Sequence, residues 1–503
     1  MVQALRHSAV FVLSAAALPC AAQAPPVWVY TAPSSVNYLY LTPLATLVVA
    51  TDDALIGLDS TGAVAWTRPT KERLQRTDFE SIPGTRLGVM WRATGFDVFD
   101  LQTGVTRWNS DSLDLGGGPD YLAVPEGGFM LVYGRPRRGP PALAAVDLDS
   151  GTRRWTLDRP FDVVPVHFDW TNYAWDSDTT FILYLSDDGP LRVDARSGHV
   201  LWSADSLRGK TAPYLTDGYP PILVDSGVAY VAVERRLEAI RTADGTLLWR
   251  HPPKVDGDPR QVARVPEGLL VRSGNPLRVN GAAFGSVELL DAATGERRWA
   301  KPYGADGGMT PLFVRDGRAY FATGKALVSL ELSDGTPTDL APVAFRGHEH
   351  PWLVEPRGAD YLLLGGQNLM LVDEHGAERY HVFHAAPSPS TLAKVATVVA
   401  VVAIAAAEVA SRPAYYYPAG PGLPIGPKTH TRAAENPDFV YQLATLADST
   451  GHSRPCYLKL NKNSGSVEGA ACFGDKNPEM RIDQRGGVLF VKTGDKTVSA
   501  FRP

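Results

Sequence analysis

Histidines and carboxylates are the residues whose spacing here invites chemistry. Gly347-His348-Glu349-His350 sets two imidazoles on one face if the stretch is extended, and His381 and His384 follow one strand later. Four histidines within 37 residues, of 11 in the chain, would suit zinc or copper if they converged. Their spacing matches no metal-site pattern, so solvated loop histidines are the plainer reading. A second group lies in Phe168-Asp169-Trp170-Thr171-Asn172-Tyr173-Ala174-Trp175-Asp176. Trp170 and Trp175 with Asp169, Asp176 and Asp178 would line a pocket or hold a cation there, or else decorate a loop between strands. The chain has no Gly-x-Ser-x-Gly elbow, no phosphate-cradling Gly-Lys-Ser/Thr loop and no zinc-protease helix motif. Leu115-Gly116-Gly117-Gly118-Pro119 reads as a turn.

The cysteines speak about compartment. Arg6, an apolar run from Ala9 to Leu18 and the small residues Cys20-Ala21-Ala22-Gln23-Ala24 read as an export signal, cut after Ala22 because Pro25 disfavours cleavage after Ala24. Cys20 follows Ala17-Leu18-Pro19, a poor lipobox, so periplasmic or secreted export is expected ahead of a lipid anchor. Cys456 and Cys472 remain. They flank Asn461-Lys462-Asn463-Ser464-Gly465, and in a hairpin centred on Ser464 they fall opposite one another, within reach of a disulfide. Two reduced core cysteines, or a one-residue slip to opposite faces, are the alternative. Charge is nearly balanced, 49 basic against 54 acidic residues, so nothing favours nucleic acid or an anionic membrane.

Elements that would position such residues are written as hairpins. Val287-Glu288-Leu289-Leu290-Asp291-Ala292-Ala293-Thr294-Gly295 leads to Trp299. Asp bonds backbone N–H groups two residues on, and Gly takes the φ > 0 position that closes the turn. The same phrase recurs with Asp59, Gly62 and Trp66; Asp100, Gly104 and Trp108; Asp147, Gly151 and Trp155; Asp194, Gly198 and Trp202; and, with Arg241 at the first position, Gly245 and Trp249. Two further copies, at Gly335 and Gly376, lack the Trp. Successive glycines are 40 to 50 residues apart, the mark of a repeat architecture. Apolar stretches upstream of each motif supply strands, giving four antiparallel strands per unit, as a propeller blade requires. A lone four-stranded sheet cannot bury both faces, so the units pack side by side about an axis, with the Trp as filler between them.

This apolar-Asp-x-x-Thr-Gly-x-x-x-Trp repeat resembles the pyrroloquinoline-quinone (PQQ)-type β-propeller repeat, over about residues 28–383 and more weakly 437–503. Such repeats are found in quinoprotein dehydrogenases and in the non-enzymatic propeller lipoprotein of the outer-membrane β-barrel assembly machinery. The resemblance implies an all-β propeller, with eight blades expected from the turns between Gly62 and Gly376. Nine or ten sheets are the alternative, because Gly465 and the strands 487–493 and 497–501 also look blade-like, with Val27 to Tyr30 closing the last. The enzymatic branch would imply PQQ on the axis, Ca²⁺ held by Glu, Asn and Asp, a catalytic Asp, a Trp under the quinone and adjacent cysteines. This chain has no adjacent Cys pair, spends most Trp residues on the repeat, and offers no stretch onto which those ligands map.

Between His384 and Asp438 the rhythm breaks. Thr391 to Arg412 is Ala/Val-rich and reads as a helical insertion, capped by Ser390 or Thr391 and stopped by Pro413. Its uncharged part, Val395 to Ala407, is shorter than a membrane span needs. The organisation expected is therefore 1–22 signal, 26–383 propeller repeats, 384–437 insertion and 438–503 a blade-like segment. The expected function is a non-enzymatic scaffold binding an envelope or secreted protein, without catalytic, cofactor or metal residues; the alternative is a PQQ-dependent oxidoreductase, with Ca²⁺, at a divergent site.

Overall fold

The computed structural model describes residues 25–503 except 72, 75–77, 93, 136–141, 158–171, 186–187, 211–221, 275–284, 304–308, 388–433, 436, 448–452, 474–478 and 484–485. The expected signal and the Ala/Val-rich helical insertion lie outside the described residues.

Ten antiparallel sheets follow one another, nine of four strands and one of three. Blade 1 spans 36–69, blade 2 79–109, blade 3 116–156, blade 4 172–203 and blade 5 222–249. Blade 6 spans 258–303, blade 7 313–342, blade 8 353–383, blade 9 434–472 and blade 10 480–501. The fold is thus an all-β propeller of ten blades among the described residues, the alternative to the expected eight. Eight Gly turns lie between residues 62 and 376, the ninth blade has Gly465, and the tenth has no such turn at all. Its outer strand is Trp28–Thr31, which pairs antiparallel with Thr497–Phe501, Trp28 opposite Ala500. Joining the two ends of the chain in one sheet completes the tenth blade and closes the ring.

Blade 5 has three regular strands because Pro252 and Pro253 break its outer one. Leu247 and Lys254 each make an isolated bridge to the third strand, on either side of the prolines. Among the described residues there is no α-helix, only short 3₁₀ turns.

Ten apolar clusters hold the ring, one between each pair of neighbouring blades. Strand alternation produces this: in blade 9, Tyr441 and Leu443 face blade 10 while Val440 and Ala444 face blade 8. Each sheet is buried on both faces, so its middle strands read as unbroken apolar runs. Ile182, Leu183, Tyr184 and Leu185 are all within 1% of full burial. First strands lie beside one another at the seams of blades 4 and 5, 5 and 6, and 10 and 1, on the axial side of the ring.

A candidate interaction face

The seams show what the recurring tryptophans do. In every blade but 5 and 10 the pairing of third and fourth strands slips by one residue. In five of these blades the extra residue is the one just before the Trp: Ala65, Arg107, Arg154, Leu201 and Arg298. A bulge re-aims the next side chain, and here it turns the indole onto the following blade. Each indole N–H then donates to the carbonyl just after the first turn residue of that blade: Trp66 to Leu101 at 2.8 Å, Trp108 to Leu148 at 2.9 Å, Trp155 to Ala195 at 2.8 Å. Trp202 donates to Thr242 at 2.7 Å, Trp249 to Ala292 at 3.3 Å and Trp299 to Leu332 at 2.9 Å.

Each of these rings lies against the turn glycine of the next blade. A Cβ on Gly151, at φ +68°, would sit 2.4 Å from Trp108 Cγ. The glycine thus serves twice, for its dihedral and for its missing side chain. Asp291 shows the turn chemistry: its Oδ1 accepts from the Ala293 and Thr294 N–H groups at 3.0 Å, and Arg298 at the bulge reaches its Oδ2 at 2.6 Å. That Arg298 bond, with the Thr294 N–H, holds the carboxyl down to about 2. Arg107 and Arg154 meet Asp100 and Asp147 in the same way.

Two further aromatics do the same work. Trp28, on the closing strand, donates to Ser60 at 3.1 Å under Gly62, and Tyr380 donates its hydroxyl to Lys462 at 2.5 Å under Gly465. Tyr380 lies four residues after Gly376, the place where the other copies carry Trp; that spacing was the available signal. At the seam of blades 7 and 8 the Leu340 backbone lies under Gly376. At Gly469 the Pro503 backbone fills the space a side chain would need.

Cys456 and Cys472 are directly opposed with Cα atoms 3.9 Å apart and joined by a disulfide. The slip at Lys459 and Leu460 creates that register, since without it Cys456 would face Ala471. The ring closes across the insertion by other contacts too. Lys462, 2% exposed, reaches Glu355 at 2.5 Å, Arg357 bonds the Pro437 carbonyl, and Thr445 N–H donates to Ala385 at 2.9 Å.

Among the described residues, those that spacing singled out do not assemble into a site. Trp175 packs against Phe129 and Phe181 in the core of blades 3 and 4. Asp176 is held by Arg192 at 2.8 Å and by the Thr180 hydroxyl at 2.7 Å, while Asp178 is exposed on a turn. Asp169 and Trp170 lie outside the described residues. The histidines are not all solvated. His350 is exposed, but His381 bonds Asn368 at 3.0 Å and stacks on Phe345, and burial pushes His381 and His384 below the ordinary imidazole value. The polar centre there is Glu349, which accepts the Gln367 and Asn368 N–H groups and the Asn368 amide. Among the described residues no three His, Cys, Asp or Glu side chains group as metal ligands.

A quinone on the axis would need an indole free to stack under it. All ten described tryptophans are committed between blades: seven dock as above, Trp91 stacks on Tyr121, Trp175 fills the blade 3–4 core, and Trp352 packs at blades 8 and 9. None of the ten described tryptophans is free to stack under a quinone on the axis.

What distinguishes the two ends of the ring is connection length. Turns from first to second strand are two to five residues long in all ten blades, and they share one end with the Asp–Gly turns. The opposite end carries the second-to-third hairpins and every crossing from blade to blade, including 157–171, 204–221, 304–312 and 384–433. Long connections on a rigid scaffold are where binding surfaces are built.

Residues 95–338 match the family model described as "Outer membrane protein assembly factor BamB". The repeat is of the PQQ-like type. Over 155 residues the chain is 32% identical to the serine/threonine-protein kinase AfsK of Streptomyces griseus, covering 29% of this chain and 17% of that one. The chain thus spans under a fifth of the length of this curated relative. Among solved structures it is similar to BamB from Moraxella catarrhalis, at 13% identity and a TM-score of 0.35, over 72% of this chain and 100% of that one. It is also similar to the quinohemoprotein alcohol dehydrogenase of Comamonas testosteroni, at 12% identity and 0.34, over 77% and 81%. Likenesses this loose say nothing about sites.

Proposed function

We propose that this PQQ-like propeller is an exported, non-enzymatic scaffold that binds a protein partner in the cell envelope through its long-connector end, without a quinone or metal. The observation that carries the reading is the contrast between the two ends. Short turns are consumed by the ring itself, whereas three crossings between blades, 157–171, 204–221 and 384–433, are far longer than the four residues that suffice at 32–35. The match to an assembly-factor family supports a binding role. No helix among the described residues is long and apolar enough to cross a membrane.

The test is capture from envelope extract by the full chain and by a chain lacking 388–433. A partner retained by the first and lost by the second is the expected result; identical capture by both removes the insertion from the interface. Incubation with PQQ and Ca²⁺, followed by quinone absorbance and dye-linked alcohol or sugar oxidation, tests the enzymatic alternative. Saturable quinone binding with turnover would overturn the scaffold reading.

A further inference from the structure

The outer strand of each blade is a sheet edge, open to pairing with another chain unless a charge, a proline or a covering contact blocks it. Pro69 in blade 1, Arg107 in blade 2, Arg154 in blade 3, Arg298 in blade 6, Pro337 in blade 7, Arg379 in blade 8 and Glu468 in blade 9 stand on such strands. Pro252 and Pro253 break that of blade 5. Blade 4 has the uncharged Val200–Ser203, but Val200 and Ser203 are already engaged.

The outer strand of blade 10, Trp28–Thr31, has none of these devices. It is uncharged and built from residues that favour strands. Ala32 N–H donates to the Lys496 carbonyl at 2.8 Å, and bonding positions alternate along an antiparallel ladder. Trp28 and Tyr30 therefore bond inward, opposite Ala500 and Val498, and the N–H and C=O groups of Val29 and Thr31 point outward. Among the described residues nothing bonds these four groups. Val27 and Val29 are 55% and 54% exposed. Pro26 and Pro33 bound the stretch, so only a short strand can pair with it.

We propose that this edge pairs with the same edge of a second copy of the chain, antiparallel about a two-fold axis at Tyr30. The strand is its own complement. Val29 of each copy lies opposite Thr31 of the other, and each such pair exchanges two N–H···O bonds. No like charges meet, as they would if the Arg153-Arg154 edge of blade 3 met itself. The pairing uses the outer rim of the ring, so it goes beyond the scaffold reading and does not depend on it. Sedimentation velocity over a concentration series should show a monomer–dimer equilibrium. Val29→Pro removes one outward donor per copy, two of the four bonds, and leaves the inward bonds of Trp28, Tyr30 and Ala32 in place. It should weaken the dimer about tenfold or more. Val29→Lys keeps every backbone group but sets like charges beside the axis, and should weaken the dimer as well; it carries the test alone should the proline open the blade. Val105→Lys, at a residue 61% exposed on blade 2, should change nothing. A monomer at every concentration, a dimer that tolerates the Val29 changes, or one weakened equally by Val105→Lys would overturn the proposal.

Discussion

At the short-turn end of the ring, each glycine of the Asp–Gly turns has a ring or a stretch of backbone from the neighbouring blade against it; at the opposite end the crossings 157–171, 204–221 and 384–433 are several times longer than the four residues that suffice at 32–35. Gly151 and Gly209 illustrate the difference. Both have φ near +70°, but Gly151 has the Trp108 ring against it and Gly209 has nothing within 4 Å. One end is a mechanical part whose residues answer to the neighbouring blade. The other carries the crossings between blades, on which the proposed binding role rests.

That contrast breaks first at the docked rings. Trp108→Ala should cost about 3–5 kcal/mol of unfolding free energy, measured by denaturant titration. Shortening 211–221 by a few residues should stay within about 0.5 kcal/mol. Comparable losses would erase the distinction. Next is the disulfide of blade 9, which closes a loop of 16 residues. The Cys456→Ala, Cys472→Ala pair should lose about 3 kcal/mol, and reductant should lower the midpoint of the native chain but not of the variant.

The glycines sharpen the comparison at smaller scale. Gly151→Ala combines the dihedral penalty with a collision and should cost about 2–3 kcal/mol, whereas Gly209→Ala should cost about 1 kcal/mol. Equal values would mean that the ring beneath the turn is not felt.

The smallest effect is electrostatic. The Asp291 carboxyl at about 2 lies below its ordinary unfolded value, so its contribution is complete above about pH 4 and fades as pH falls toward 2. Asp291→Asn should cost a few tenths of a kcal/mol at neutral pH, the pair being partly exposed. The difference from the native chain should vanish by about pH 2; a difference constant across that window would show that the turn does not depend on this charge.

Turns and repeat period were legible in the sequence because they are local. An Asp oxygen capping N–H groups two and three residues on, and a Gly at φ > 0, are settled within five residues, and they named the propeller. Tyr380 was readable from its spacing after Gly376, had an aromatic been accepted in place of Trp. Residues singled out for chemistry by type, Trp175, Asp176 and His381, proved to be packing and pairing groups, since what a side chain does depends on which neighbour it meets. Blade number was not local either. Trp28 lies opposite Ala500, and only the closed ring brings those two residues together. Likewise, a one-residue bulge decides which way each indole points and that Cys456 meets Cys472. Sequence alone determined the unit and its turn chemistry through bonds between near neighbours; tertiary structure decided the number of units and the aim of their side chains, because those depend on contacts between residues far apart in the chain.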